Sequence, residues 1–273
     1  MRGEFVDLGG SRLYYYAAGT RGAGVPIVFL HGFPGSAHSW RGLAPLMPEG
    51  RRQVIVDLLA CGRSDGPCDG ADRLDTHVRL IQRLLDDLEI PRAALIGHGV
   101  GATIATALAL AQPDRISALA LLSPIVMGAR PRALGRLARA VAPFSRALGG
   151  AMVASFLHGS AIRGYTDREV GRHSLDQALN AYTTRLGADS IVTHLRLDRD
   201  PAIAAMRVDE LRLPVAVIVG SEDPFLPSSL GERMRSVIPD ATLGVIGGAK
   251  HFINEDAPAQ CAQLITDLLK REA

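Results

Sequence analysis

The chain has 273 residues, room for one large α/β domain with an insertion and ample sequence for a core. Hydrophobic residues make up 47% and charged residues 21%, which excludes a disordered chain. A net charge of +2 argues against nucleic acid or an anionic membrane as partner, and no apolar run reaches the ~18 residues of a membrane-spanning helix.

The N-terminus, Met1-Arg2-Gly3-Glu4, lacks the apolar core of a signal peptide. Cys61, Cys68 and Cys261 are odd in number and not at metal-ligand spacing, so free thiols in a reducing cytoplasm are expected. His158, His173 and His194 have no mutual ligand spacing, so neither a metal nor a cofactor is expected. Nothing in the sequence sets an oligomeric state.

Phe5 to Leu8 and Arg12 to Tyr16 flank Gly9-Gly10-Ser11 and predict a hairpin. Pro26 to Leu30 is a continuous apolar run, as in a parallel strand buried on both faces. It runs into His31-Gly32-Phe33-Pro34-Gly35, after which a helix is expected from Ser36 to Leu46. Val54-Ile55-Val56 is a second buried strand, ending at Asp57 before a loop of small residues. Leu74, Val78, Ile81, Leu84, Leu85 and Leu88 recur at helical spacing and predict an amphipathic helix over 72–88.

A short apolar run, Ala93 to Ile96, then breaks at Gly97, and an Ala-rich stretch of high helix propensity runs from Val100 to Ala111. This reads as strand, sharp turn, helix. Gly97-His98-Gly99-Val100-Gly101 has the spacing of the nucleophile elbow G-x-S-x-G, but Gly99 stands where a nucleophile belongs. Gly97, Gly99 and Ala102 also fit the dinucleotide fingerprint G-x-G-x-x-G/A. That fingerprint belongs in a first βα turn and needs an acidic residue after the next strand. Here three strand-like runs come earlier, and the next strand, Ile116 to Leu122, ends in Ser123-Pro124.

From 124 to 206 the β/α alternation stops. Helical patterning without a convincing strand fills the stretch, with Arg132, Arg136 and Arg139 on one helical face. These arginines fit a solvated face or an anion-attracting one. Alternation resumes with a strand at Val215 to Val219, a helix at Ser228 to Val237, a strand at Thr242 to Ile246 and a helix at Ala257 to Lys270. Asp256 is a candidate N-cap for the last helix, with Pro258 in its first turn.

Four stretches resemble the α/β-hydrolase superfamily. His31-Gly32-Phe33-Pro34 with Trp40 resembles its oxyanion loop, as in epoxide hydrolases, dehalogenases and related esterases. Asp57 to Asp65 resembles D-x-P-G-x-G-x-S-D, with Leu59, Ala60 and Cys61 replacing the usual Pro, Gly and His. Gly220 to Pro224 matches the loop of the catalytic acid, and Gly247 to Phe252 that of the catalytic histidine.

The resemblance implies an α/β-hydrolase fold: a mostly parallel eight-stranded sheet, helices on both faces, and a helical cap inserted after strand 6. Residues 1–123 and 207–273 would be the core and 124–206 the cap. It implies that Asp223 orients His251, that the amides of Phe33 and Val100 form the oxyanion hole, and that Gly99 occupies the nucleophile position with its side chain absent. His31, Trp40 and His98 would flank the substrate pocket, the two histidines as structural hydrogen-bonding residues. Cys61 reads as a small buried thiol, not a substitute nucleophile.

Three functions fit. One is an enzyme for a small, mostly apolar substrate that uses His251 and Asp223 as general base with the oxyanion hole, as lyase, cyclase or direct-water hydrolase. Another is an ordinary ester or epoxide hydrolase whose Ser or Asp nucleophile Gly99 has replaced. The third is a non-enzymatic ligand-binding descendant. The His-Gly-Phe-Pro loop leans towards an Asp-nucleophile ancestry.

Overall fold

The computed structural model describes residues 2–19, 24–127, 154–227 and 229–272. Its strands are β1 (Arg2–Asp7), β2 (Arg12–Ala18), β3 (Ile27–Leu30), β4 (Gln53–Asp57), β5 (Ala93–His98), β6 (Ile116–Leu122), β7 (Val215–Gly220) and β8 (Ala241–Ile246). They form one eight-stranded sheet in the order β1-β2-β4-β3-β5-β6-β7-β8. β1 and β2 are antiparallel, as is β2 against β4, and every pairing from β4 to β8 is parallel.

The apolar runs of the central strands follow from burial on both faces. Val28, Leu30, Val56 and Leu95 point to one side, with α1 (Leu74–Asp87) and α2 (Val100–Ala111). Ile27, Phe29, Ile55 and Ile96 point to the other. From β3 the chain turns to β4 on one side and then to β5 on the other. Such a reversal opens a crevice at the carboxyl ends of the strands.

Between β6 and β7 the described residues contain no strand. Residues 154–161 are helical, followed by α3 (Arg168–Ala181), a π-turn (Tyr182–Leu186), α4 (Gly187–Leu197) and α5 (Pro201–Ala205). These helices pack on the loops at the carboxyl ends of the strands. Arg185 donates to the carbonyls of Gly62 and Ser64, and the amides of His251 and Phe252 donate to Gly164. Arg132, Arg136 and Arg139 lie outside the described residues. The chain continues with α6 (Leu230–Val237), α7 (Ile253–Asp256) and α8 (Pro258–Leu269). Among the described residues no helix is long and apolar enough to cross a membrane.

Two expected elements differ. The helix over Ser36 to Leu46 is two 3₁₀ turns, Ala37–Trp40 and Ala44–Leu46. Gly42 lies between them, and Pro45 has no N–H to continue a ladder. The last helix is capped by Ala257, without a side-chain bond, and not by Asp256. The Asp256 carboxylate instead accepts from the Thr166 amide at 2.7 Å, tying the β8–α8 connection to the inserted helices.

Candidate active site

β5 delivers Gly99 to the crevice, where the chain must reverse from strand to helix. Gly99 has φ +53° and ψ −118°, a conformation disfavoured for residues with a Cβ. The turn is held by the Gly99 amide donating to Leu122, and by Thr103, whose hydroxyl donates to Ile125 at 2.6 Å. A Cβ on Gly101 would collide with the carbonyls of Leu30 and His31, so α2 needs glycine there to lie against β3.

At Gly99, by contrast, there is room. A Cβ built there has Gly32 Cα at 3.5 Å and His251 Nε2 at 4.0 Å as its nearest neighbours. The space a nucleophile would occupy is therefore bounded by the imidazole and the 31–35 loop.

His251 lies on the loop after β8 and Asp223 on the loop after β7. The strands are parallel neighbours, so both loops emerge at the same edge. His251 Nδ1 meets Asp223 Oδ2 at 2.7 Å, with both side chains 5% exposed. Asp223 Oδ1 accepts from the amides of Phe225 and Leu226 at 2.8 and 3.1 Å. Burial opposes the Asp223 charge, but His251 and the two amides together hold the carboxyl below its usual range. A charged Asp223 keeps the proton on Nδ1 and leaves Nε2 to accept one.

The Val100 amide opens α2 and has no intrahelical acceptor. The Phe33 amide has no acceptor among the described residues. The α2 N-terminus adds positive potential beside the Val100 amide.

Two of the remaining expected residues, His31 and His98, are hydrogen-bonded within this frame. His31 Nε2 accepts from the Leu58 amide at 3.0 Å while Nδ1 donates to Gly32 at 2.8 Å. His98 Nε2 donates to the His251 carbonyl at 3.0 Å. Burial, aided by repulsion from His251, pushes the His98 imidazole down to about 3, so it is neutral and structural. Trp40 stands apart from the pocket, fully buried on the opposite face of the sheet against Phe29. The alternation of β3 sends Phe29, and with it Trp40, to that side.

Cys61 is buried, with its sulfur 3.1 Å from both Tyr182 Oη and His194 Nε2. Burial pushes the thiol far up, so no thiolate forms there. The described residues contain no group of three or more candidate metal ligands.

Of three further polar side chains, only Asp57 belongs to a local motif. Ser123 ends β6 and donates to the His251 carbonyl at 2.8 Å. Asp57 accepts from the amides of Ala37 and Arg63 at 2.6 and 2.8 Å, joining the two loops beside Gly99. Asp198, just past α4, is 8% exposed with Oδ1 lacking a hydrogen-bond partner. Only the acid at the end of β4 was marked in the sequence, by the Asp57 loop pattern.

Residues 25–258 match the family model described as the alpha/beta hydrolase fold. The chain is 29% identical over 275 residues to 2-hydroxymuconate semialdehyde hydrolase of Pseudomonas sp. (strain CF600), covering 93% of this chain and 92% of that protein. It is 26% identical over 265 residues to 2-hydroxy-6-oxononadienedioate/2-hydroxy-6-oxononatrienedioate hydrolase of Cupriavidus pinatubonensis, covering 91% and 88%. The crystal structure of wild-type Cfl2 from Burkholderia cenocepacia is similar at a TM-score of 0.84 and 25% identity, covering 98% of this chain and 95% of that one.

Proposed function

This chain belongs to the alpha/beta hydrolase fold family, and because its elbow carries Gly99 we propose that it is an enzyme working without a covalent intermediate. The single observation behind this is the His251–Asp223 pair at 2.7 Å, with Nε2 facing the open space at Gly99. A water molecule or part of the substrate fills that space. His251 takes its proton, and the amides of Phe33 and Val100 stabilise the resulting enolate or tetrahedral anion.

General-base catalysis contributes ~10²–10⁴-fold and an oxyanion donor ~10²–10³-fold, so useful rates do not require the missing side chain. Phe33 and Phe225, whose ring lies 5.2 Å from that of His251, favour a small, mostly apolar substrate. In this reading 124–206 is a cap over the core formed by 1–123 and 207–273. The relatives are named for carbonyl compounds, a semialdehyde and hydroxy-oxo diacids. Lyase, cyclase and direct-water hydrolysis of such compounds all suit a base beside an oxyanion hole.

The room at Gly99 also favours a second reading, in which a hydrolase has lost its nucleophile. Turnover of an ester, lactone, epoxide and hydroxyketone panel by the chain as it stands, and by Gly99→Ser and Gly99→Asp, separates the two. The first reading expects turnover by the unaltered chain that His251→Ala abolishes and that Asp223→Asn lowers by leaving the wrong tautomer. Equal rates with and without the His251 imidazole would sink it. Activity confined to a Gly99 variant supports the second reading.

A further inference from the structure

His251 is one half of an acid–base pair whose other half lies on the inserted helices. Asp198 follows the last turn of α4, its amide donating to the His194 carbonyl at 3.1 Å. Residues four apart share a helix face, and His194 on that face stacks on Phe33, with ring centroids 5.2 Å apart and planes 9° from parallel. Asp198 is therefore on the side of α4 turned towards the oxyanion loop. It is more than nine-tenths buried, and Oδ1 has no hydrogen-bond partner. A buried carboxyl oxygen without a partner is costly unless something bound there completes it.

The groups that favour its charged form are His251, in its cationic form, and Arg199, its own neighbour. On the same face of α4 the titratable side chain is His194, whose ring in turn lies 5.8 Å from that of His77 on α1. Burial pushes the Asp198 carboxyl up to about 7, against the opposing pull of His251 and Arg199. The negative end of α4 acts in the same direction as burial. His194 does not compensate a charge there, since burial drives that imidazole down to about 3.

We propose that Asp198 is the proton donor of this site, delivering a proton to an oxygen atom of the substrate while His251 removes one from carbon. The inference rests on the reading of His251 as general base. A single histidine suffices for hydrolysis, since it returns to the leaving group the proton it took. A separate acid is needed where the proton leaves from one place and arrives at another. That is the geometry of an elimination.

The substrate class is accordingly a β-hydroxy carbonyl compound. Its carbonyl oxygen lies on the Phe33 and Val100 amides, its α-proton passes to His251 Nε2, and the C–H electron pair forms the enolate. The enolate then expels the β-oxygen, the C–O bond breaking as Asp198 protonates the departing hydroxyl to water. The products are an α,β-unsaturated carbonyl compound and water, with His251 cationic and Asp198 anionic. Proton return from the imidazolium to the carboxylate resets the site. Environments that push two titratable groups apart are the recurring basis of such acid–base pairs.

Two measurements on the full chain test this. The first is the ¹³C titration of the Asp198 carboxyl, assigned with Asp198→Asn. A midpoint near 7 is expected, and a midpoint near the ordinary 4 overturns the proposal. The second uses 4-hydroxy-4-phenylbutan-2-one, whose dehydration is followed by the absorbance of the conjugated product. The unaltered chain should turn it over with a rate that falls above pH 7, and Asp198→Asn should lose about a hundredfold or more along with that fall.

An Asp198→Asn variant that keeps both the rate and the alkaline fall overturns the donor role. No dehydration by the unaltered chain, with the carboxyl shown neutral by ¹³C, overturns the substrate class. Failure of the general-base reading looks different: turnover persists in His251→Ala.

Discussion

At the scale of single residues, two backbone positions make opposite predictions. Gly99, at φ +53°, occupies a turn that a side chain enters only under strain. Its neighbours stand at 3.5 and 4.0 Å from a built Cβ, so the strain is conformational and not steric. Gly99→Ser should fold and lose on the order of 1 kcal/mol in urea denaturation. A loss above ~3 kcal/mol would mean that the space at the elbow is not open. Ala60 is the converse case. It has φ +62° where the related loop pattern carries glycine. Ala60→Gly should stabilise by up to ~1 kcal/mol, since glycine enters this region without penalty. A lower midpoint for Ala60→Gly would show that the Ala60 methyl group, which is fully buried, contributes more by packing than its backbone loses. The elbow, Asp223 and His251 were legible because each sits in a turn whose glycines and prolines are its immediate neighbours in the chain. Asp198 and Ser123 were not, because burial distinguishes the first and a partner 128 residues distant the second. Trp40 misled for the same reason: its proximity to the oxyanion loop is in sequence only.

At the scale of elements, one joint between the inserted helices and the core centres on a buried carboxylate. Glu255 of α7, 2% exposed at its side chain, accepts from Arg41 and Tyr165, each at 2.9 Å, and from Ser174 of α3. Glu255→Ala would leave the buried Tyr165 hydroxyl and the Arg41 guanidinium without this acceptor. The expected loss is about 2–3 kcal/mol, the range for a hydrogen-bonded charge removed from a buried cluster. Faster proteolysis between β6 and β7 should accompany it, and unchanged proteolysis with full stability would show that the docking lies elsewhere. None of this joint was readable beforehand, since it connects residues 81, 90 and 214 positions apart. The strands were readable, because burial on both faces writes itself as unbroken apolar runs, and α2 because alanine-rich sequence has few other states. Where Gly42 and Pro45 interrupt a helix-like pattern, periodicity alone predicted too long an element.

At the scale of the whole molecule, the buried histidines determine how the fold meets acid. Burial pushes His77 down to about 4, and His98 and His194 down to about 3. All three are neutral when folded and take up protons below ~6.5 once unfolded. A base whose folded value is depressed contributes stability that is present above the unfolded value and lost as pH falls through the window down to the folded one. Asp198 works the other way. Raised to about 7, it holds a proton in the folded state that the unfolded chain releases above ~4. Near pH 5 the unfolded chain therefore binds three protons at these histidines against one held by the folded chain at Asp198, a difference of about two. At ~1.4 kcal/mol per proton and pH unit, these four groups alone should lower stability by roughly 2–3 kcal/mol for each unit of acidification between pH 6 and 4.5. Urea midpoints at pH 7, 6 and 5 measure this directly. The slope assigns itself through His77, whose Nε2 donates to the Ala71 carbonyl at 2.9 Å. A glutamine amide can replace that donor but cannot take up the proton, so His77→Gln should reduce the slope by about one proton. A midpoint constant from pH 7 to 5, or a slope untouched by His77→Gln, would show that these rings are not neutral in the folded protein.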